Sequence, residues 1–121
     1  MREIKFRAWN KVKNEMEQIA YSKLLIQPSG SVCIQQDDNT LADVSHDYEI
    51  MQFTGLYDKN KKPIYEGDVL QEYNGKFSEV MWLETEAGFY SRNKDGYCRK
   101  IAWNSLVEVV GDAYRNPELL K

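Results

Sequence analysis

Short segments in which apolar and polar residues alternate, separated by turn residues, run along most of the chain. Residues 4–9 have the two-residue period of a half-buried β-strand, because Ile4, Phe6 and Ala8 share one face. Residues 10–14 are polar and turn-like, and residues 16–20 form the predicted return strand. Residues 2–21 are therefore a predicted β-hairpin, in a chain that is expected to be mainly β.

Turn signals are clearest in the second half of the chain. We predict a two-residue hairpin turn at Asn74-Gly75, because both residue types tolerate the positive φ that a type I′ turn requires. Several short strands joined by tight turns over residues 64–110 predict a small barrel or roll, with residues 1–35 packed against it. The strands predicted after the hairpin cover residues 32–34, 49–54, 69–73, 76–83, 89–91, 97–101 and 107–110.

The remaining segments are less regular. Residues 36–48 have the weakest pattern and are predicted to be a loop or a short helix. Asn116 and Pro117 predict a one-turn C-terminal helix, because Asn caps helices and Pro favours the first helical position. The predicted core contains six residues, which are Phe6, Ile64, Val69, Val80, Trp82 and Val109.

The length of 121 residues fits a single domain over residues 1–121, with a hairpin and loop region in residues 1–48 and the roll in residues 49–121. No apolar run approaches the roughly 20 residues of a membrane helix, so no membrane association is expected. The first residues lack the apolar region of a signal peptide, which favours a cytoplasmic location. Cys33 and Cys98 are widely separated and are predicted to be reduced thiols.

Charge is unevenly distributed along the chain. Residues 1–28 carry six Lys or Arg against three Glu, whereas residues 29–56 carry five Asp or Glu and no Lys or Arg. Pairing of such halves between molecules would give a homo-oligomer, and a solvated surface of mixed sign is the favoured alternative. The net charge of −3 argues against wholesale binding to nucleic acid.

Candidate catalytic groups are few. His46 is the only histidine, and its acidic neighbours Asp43, Asp47 and Glu49 make a metal-assisted hydrolase one hypothesis. Zinc sites usually take several His or Cys ligands, so a histidine on a surface loop is the favoured interpretation. We therefore predict that the chain is not an enzyme, with no catalytic residue, no metal and no cofactor.

The block Tyr65-Glu66-Gly67-Asp68-Val69 is distinctive but is predicted to be structural. In this interpretation Gly67 supplies an unusual φ where a strand begins, and Asp68 accepts hydrogen bonds from backbone amides of the following turn. A lone Asp without an evident base or metal partner is more often structural than catalytic.

Residues 90–103 interleave aromatic and basic side chains, which is the composition of a surface that binds single-stranded nucleic acid. Core aromatics and solvated cations are the ordinary alternative. If the segment forms a hairpin around residues 93–96, Arg99 and Lys100 must point to opposite faces, so only part of the cluster can form one surface. The candidate nucleic-acid-binding residues are Tyr90, Arg92, Lys94, Tyr97, Arg99, Lys100 and Trp103.

Three motifs resemble those of the YopX family of phage-encoded proteins. Residues 2–10, REIKFRAWN, are similar to the opening K-F-R-A-W-D of that family. Residues 51–69, MQFTGLYDKNKKPIYEGDV, resemble the signature M-Q-Y-T-G-L-x-D-K-N-G-K-x-I-Y-E-G-D. Residues 110–120, VGDAYRNPELL, resemble the ending V-I-G-N-I-Y-E-N-P-E-L-L. The resemblance implies a β-rich fold with an SH3-like roll, a phage or prophage origin and a bacterial cytoplasmic location.

The chain departs from the family pattern at two positions. The Asn-Gly turn of the signature is Asn60-Lys61 here, so we expect either a longer turn or a left-handed Asn60. Pro63 replaces a usually polar residue and fixes φ just before a strand that begins near Ile64.

The leading functional prediction is a non-enzymatic phage or prophage accessory protein, a small module that binds another macromolecule. Its expected partner is an unknown protein of the phage or the host. The alternative is a protein that binds single-stranded nucleic acid through residues 90–103, and the metal-assisted hydrolase is the third hypothesis.

Overall fold

A computed structural model describes residues 3–19, 24–101 and 106–121. Strands dominate these residues, as predicted, and none of the helices in the described ranges is long and apolar enough to cross a membrane. The strands are β1 (Phe6–Asn10), β2 (Glu15–Gln18), β3 (Leu24–Ile26), β4 (Val32–Gln35), β5 (Leu41–Asp43), β6 (Tyr48–Tyr57), β7 (Pro63–Tyr65), β8 (Asp68–Gln71), β9 (Phe77–Leu83), β10 (Gly88–Asn93), β11 (Cys98–Lys100) and β12 (Glu108–Asp112).

The chain forms two compact units, one over residues 5–51 and one over residues 52–121 together with residues 1–4. In the first unit β1 and β2 form the predicted antiparallel hairpin, in which Ala8 lies opposite Glu17. Strands β3, β4 and β5 form a separate antiparallel sheet in that order. The buried residues Ala8, Leu24 and Val32 form the core of this unit.

The predicted alternation of β1 is wrong. Arg7, Trp9 and Asn10 are buried together with Ala8, whereas Ile4 is exposed and Phe6 is half-buried. The reason is that β1 is an inner strand between β2 and β6, and the burial of consecutive residues means that both of its faces are covered. A half-buried pattern applies to a strand with one solvent-facing side.

Residues 36–48 contain more structure than predicted. Strand β5 pairs with β4 through Ile34 and Ala42, and a single 3-10 turn covers Ser45–Asp47. Leu41 and Asp43 are exposed and Ala42 is only half-buried, so apolar and polar residues do not alternate with burial along this strand. The backbone pairing with β4 forms this strand where side-chain burial gives no pattern.

In the second unit the five strands β11, β10, β9, β8 and β12 form one antiparallel sheet in that order, curled into a half-barrel. The expectation of an SH3-like roll stays a prediction, as does the expectation of a single domain. The core of this unit consists of Ile64, Leu70, Val80, Ile101 and Val109. Ile64, Val69, Val80 and Val109 are buried, which confirms four of the six predicted core residues.

Trp82 is not a core residue, since 45% of its surface is exposed. Alternation places it on the same face of β9 as Val80, but it lies near the end of the strand, just before the 3-10 turn Glu84–Glu86. Its indole packs edge-on against Phe89 on β10, with the ring centroids 5.0 Å apart. Trp82 therefore covers the margin of the core instead of filling it.

Among the described residues, five turns of five residues each share one hydrogen-bond pattern. The N–H of the first residue donates to the carbonyl of the fifth, and the carbonyl of the first residue accepts from the N–H of the fourth. The fourth residue has a positive φ in every case, between 65° and 91°. This is a three-residue hairpin connection in which the last loop residue takes the left-handed conformation. The fourth residues are Gly30, Asn39, Lys61, Gly75 and Gly96.

Two turn predictions change accordingly. Gly75 has the predicted positive φ of 82°, but the connection has three residues, and Asn74 is not among the described residues with positive φ. The second prediction concerns the turn at Asn60-Lys61, where the family signature has Asn-Gly. Here Lys61 itself takes the left-handed conformation, with a φ of 65°. The connection has three residues, and Asn60 is not among the described residues with positive φ, so the prediction of a left-handed Asn60 is wrong. Oδ1 of Asp58 accepts hydrogen bonds from the amides of Asn60 and Lys62 within this turn.

The C-terminal helical turn covers Pro117–Leu120 and is a 3-10 turn, with Pro117 at its start as predicted. Asn116 does not cap it through its side chain. Instead, Oδ1 of Asn116 accepts a hydrogen bond from the backbone N–H of Asp112 at 3.2 Å. The residue therefore ties the end of the chain to β12.

Candidate binding surface

The polar residues of the central signature bind backbone groups. Oδ1 of Asp58 accepts hydrogen bonds from the amides of Asn60 and Lys62, each at 2.8 Å, and Oδ2 accepts from the amide of Val109 at 2.9 Å. Burial acts to raise the pKa of Asp58, but these three N–H groups and the charge of Lys62 together lower it below its ordinary value. The buried carboxylate thus closes the turn after β6 and attaches β12 to it.

Asp68 has the predicted structural role. Its carboxylate, in a residue that is only 1% exposed, accepts from the amide of Tyr65 at 2.8 Å, and Gly67 has a φ of 82°. The bonded amide precedes Asp68, whereas a bond to the following turn was predicted. Glu66 acts in the same way, since its Oε1 accepts from the amide of Gln52 at 2.9 Å.

The C-terminal motif is equally structural. Oδ1 of Asp112 accepts from the amides of Tyr114 and Arg115, and Oδ2 accepts from Nε of Arg115 at 2.6 Å. A Cβ on Gly111 would lie 2.3 Å from Oδ1 of Asn116, so this position accommodates only glycine without a shift. The polar residues of the central and C-terminal motifs therefore stabilise the fold of this unit.

His46 lies on the 3-10 turn Ser45–Asp47 and is exposed. Within residues 3–19, 24–101 and 106–121, no group of three or more His, Cys, Asp and Glu side chains is placed to hold a metal ion. Cys33 is buried, Cys98 is half-buried, and both are free thiols.

The hairpin of β10 and β11 divides the candidate nucleic-acid-binding residues between two faces. Arg99 lies opposite Ser91, and Lys100 lies opposite Tyr90, so Arg99 and Lys100 point to opposite faces as predicted. Arg92 pairs with Glu79 on one side and Cys98 on the other, which places it on the face of Tyr90 and Lys100.

The remaining candidates are also separated. The carbonyl of Tyr97 accepts a hydrogen bond from the amide of Asn93, so these two residues lie opposite each other just beyond the last strand pair. Tyr97 therefore lies on the same face of the hairpin as Arg99. Lys94 is at the tip of the hairpin, and Trp103 lies outside the described residues. Tyr97 and Arg99 share one groove with the turn between β8 and β9. Lys100 lines an adjoining groove with Glu72 and Tyr73, and Lys94 lines a further groove with Lys76.

The groove shared by Tyr97 and Arg99, which we call the polar groove, has a volume of about 280 Å³. Strands β10 and β11 and their turn contribute Ser91, Asn93, Tyr97 and Arg99. The β8–β9 hairpin contributes Glu72, Asn74, Lys76 and Ser78. Nη1 of Arg99 lies 3.7 Å from Oε2 of Glu72, which is a long ion pair across the groove.

A second groove of about 260 Å³ adjoins the polar groove, since Glu72, Ser91 and Arg99 line both. It is more apolar, with Leu70, Ile101 and Val107 in its lining. Tyr73 and Leu106 also line it and are 77% and 69% exposed, and Tyr97 in the polar groove is 70% exposed. We call the surface formed by Tyr73, Lys76, Tyr97, Arg99 and Leu106 the Arg99 surface.

Sequence reasoning missed the contribution of the β8–β9 hairpin to this surface. The Asn74-Gly75 signal places Tyr73 and Lys76 on either side of a turn, which was the available clue. That this turn lies beside the β10–β11 hairpin follows from the antiparallel order of β8, β9 and β10. No pattern in the sequence marked Ser78 or Ser91 as residues of this surface.

Comparison with known proteins identifies relatives of the whole chain. The model of the YopX protein family matches residues 5–121. The structure of protein EF1440 from Enterococcus faecalis is similar with a TM-score of 0.68 and 25% identity, covering 100% of both chains. The structure of protein yopX from Bacillus subtilis is similar with a TM-score of 0.65 and 21% identity, covering 100% of this chain and 98% of that one.

A search of the curated proteins finds no match. The family match spans nearly the entire chain and includes all the strands described above. It confirms the resemblance drawn from the three sequence motifs. The chain belongs to the YopX protein family.

Proposed function

We propose that this chain is a non-enzymatic phage or prophage accessory protein that binds another macromolecule in the bacterial cytoplasm. The observation that supports the proposal is the Arg99 surface, where Tyr73, Tyr97 and Leu106 are each at least 69% exposed. Exposed Tyr side chains around an Arg are typical of the residues that contribute most to protein interfaces. The grooves beside them provide places for side chains of a partner.

The position of the family motifs also supports a binding role for this surface. The carboxylates of Asp58, Asp68 and Asp112 are buried and accept hydrogen bonds from backbone amides. Such carboxylates stabilise the fold and do not face a ligand. The side chains of Tyr73, Tyr97 and Leu106, by contrast, are largely exposed.

The test is capture of partners from bacterial host cells by a tagged copy of the chain. We expect the parent to retain a partner that Tyr97→Ala and Arg99→Gln lose, because both substitutions remove exposed contact groups. Arg92→Gln is the matched control, since Arg92 lies on the same hairpin and on the opposite face. A partner retained equally by all four proteins would place the interface elsewhere.

A second candidate is binding of single-stranded nucleic acid. Lys76 and Arg99 lie in one groove with Tyr97, which brings two cations beside an exposed aromatic ring. Cations that contact phosphates and aromatic rings that stack on bases are the two components of such a surface. This arrangement uses two of the predicted residues, Tyr97 and Arg99, together with Lys76 from another hairpin.

Fluorescence anisotropy with a labelled oligonucleotide at several salt concentrations tests this candidate. Arg99→Ala and Lys76→Ala should each flatten the log–log salt dependence by about 0.7, the value for one lost phosphate contact with a single strand. Arg92→Ala should leave the slope unchanged. Absence of binding by the parent at low salt would eliminate this candidate and leave a protein partner as the working hypothesis.

A further inference from the structure

Ser78 carries a buried hydroxyl group without a hydrogen-bond partner among the residues that the structure describes. The residue is 2% exposed, and its Oγ makes no hydrogen bond within the described part of the chain. A buried hydroxyl that lacks a partner costs free energy, and nearly all such groups in proteins are paired. Ser78 also lines the polar groove, so a group bound in that groove lies next to this residue.

The two Asn side chains of the polar groove are oriented by backbone bonds. Oδ1 of Asn93 accepts from the amides of Asp95 and Tyr97, each at 3.0 Å. Oδ1 of Asn74 accepts from the amide of Lys76 at 3.0 Å. Because the oxygen of each amide is engaged, the NH₂ group is what each side chain offers to a ligand.

Positive charge adds to these donors. The groove contains the guanidinium of Arg99 and the ammonium of Lys76, opposed by the single carboxylate of Glu72. At 3.7 Å the ion pair between Arg99 and Glu72 is longer than a charge-assisted hydrogen bond, so it leaves donors of the guanidinium for another acceptor. Hydroxyl, amide and cationic donors therefore line one small cavity.

We propose that the polar groove is an oxyanion site that takes a phosphate group, bound by Arg99 and Lys76 with the Ser78 hydroxyl as a further donor. A phosphate group offers several acceptor oxygens and carries negative charge, which matches a donor-rich cationic groove. A carboxylate has two oxygens and would use fewer of these donors. The inference rests on the proposed use of the Arg99 surface for binding, and it adds the chemistry that this surface recognises.

The phosphate group has two potential sources, a free phosphomonoester or the phosphodiester backbone of a nucleic acid. Both present the same oxygens to the groove. They differ in charge and in the atoms attached to phosphorus, so binding of a nucleoside monophosphate and of a short oligonucleotide distinguishes them.

The test is a titration of the isotope-labelled protein with inorganic phosphate at constant ionic strength, followed by amide chemical shifts. We expect saturable shifts at Ser78, Ser91 and Arg99. Arg99→Gln should weaken binding about tenfold or more, as expected for loss of a charged hydrogen-bond partner. Ser78→Ala should weaken it roughly fivefold, the effect of one neutral hydrogen bond.

Two further variants separate a binding site from a structural effect. Glu72→Gln should tighten phosphate binding, because it removes the carboxylate that competes for Arg99. Arg92→Gln should bind phosphate as the parent does. Ser78→Ala should melt no lower than the parent, so its weaker binding would not reflect unfolding.

Shifts that do not saturate, or unchanged phosphate binding by both Arg99→Gln and Ser78→Ala, would overturn the oxyanion site. The proposed function is judged separately, because Tyr97→Ala tests partner binding without removing a phosphate donor from Ser78, Lys76 or Arg99. If Tyr97→Ala loses the partner and phosphate does not bind, the interaction module stands and the oxyanion site is wrong. If phosphate binds and no partner depends on Tyr97, the reverse holds.

Discussion

Two groups of polar side chains in residues 52–121 differ in what they bind. The carboxylates of the family motifs, such as Asp58 and Asp112, are buried and each accepts several hydrogen bonds from nearby groups. In the polar groove, and counting only the described residues, the hydroxyl of Ser78 has no hydrogen-bond partner and Arg99 has one long ion pair. The difference separates residues whose polar groups stabilise the fold from residues whose polar groups remain able to bind a ligand.

The contrast explains why the most recognisable motifs give the least information about function. A carboxylate that closes a turn and holds a distant strand is required by the fold whatever the protein binds. The proposed Arg99 surface consists mostly of side chains in or beside two hairpin turns, where the fold tolerates many residue types. Substitutions in the two groups should therefore affect different properties, stability in the first and binding in the second.

The largest effect is expected for Asp58→Asn. The amide keeps the shape of the side chain but places an NH₂ group against one of the three backbone donors, so we expect a loss of about 2–3 kcal/mol in the free energy of unfolding. Denaturant unfolding at neutral pH measures it.

The loss from Asp58→Asn should also depend on pH. Because the pKa of Asp58 is lowered in the folded protein, its contribution is present above the pKa of the unfolded state. It is lost as the pH falls through the lower folded pKa, so the difference between parent and variant should shrink below about pH 4. A difference that stays constant from pH 7 to pH 3 would contradict the role of the charged carboxylate.

Gly111→Ala should destabilise the fold by about 2 kcal/mol, the cost of forcing a methyl group into a filled space. The new Cβ would lie 2.3 Å from Oδ1 of Asn116, so that side chain must move and release the amide of Asp112. Thermal unfolding measures the effect. Gly88→Ala is a useful control, because its nearest atoms would lie 3.7 Å from the added Cβ.

Lys61→Gly should stabilise the fold by about 0.5–1 kcal/mol, because glycine takes the left-handed conformation without the steric cost that a Cβ brings. The side chain of Lys61 is exposed, so its loss removes little packing. Lys62→Gly is the matched control and should not stabilise. Equal melting temperatures for Lys61→Gly and the parent would mean that the turn tolerates lysine without strain.

The smallest effect is expected for Ser78→Ala without a ligand. Removing a buried hydroxyl that has no partner should change the free energy of unfolding by no more than about 0.5 kcal/mol, or raise it. Ser91→Ala provides a comparison, because its hydroxyl is 3.5 Å from the carbonyl of Arg99. A clear loss of stability in Ser78→Ala would show that its hydroxyl has a structural partner.

The sequence predicted most strands of the second unit, because apolar alternation and turn residues mark them directly. It failed where burial did not follow a simple period, as in the inner strand β1, and where backbone pairing alone forms the strand, as in β5. Trp82 was placed in the core because alternation cannot show that a strand extends beyond the core.

The candidate site was predicted only in part. Alternation correctly placed Arg99 and Lys100 on opposite faces of the hairpin. The basic residues of the segment are therefore split between those two faces. Lys76 and Ser78 could not be assigned to the site, because their position beside Arg99 depends on which strands are neighbours in the sheet. Which strands become neighbours in a sheet is not encoded in any local pattern.

The most direct test of the central claim compares Arg99→Gln with Asp58→Asn in two measurements, binding of the captured partner and the free energy of unfolding. At a temperature where both variants remain folded, the account predicts that Arg99→Gln loses the partner with stability close to that of the parent. Asp58→Asn should lose stability and keep the partner. The opposite outcome, in which Asp58→Asn abolishes binding while folded and Arg99→Gln binds normally, would contradict the account and return the function to the family motifs.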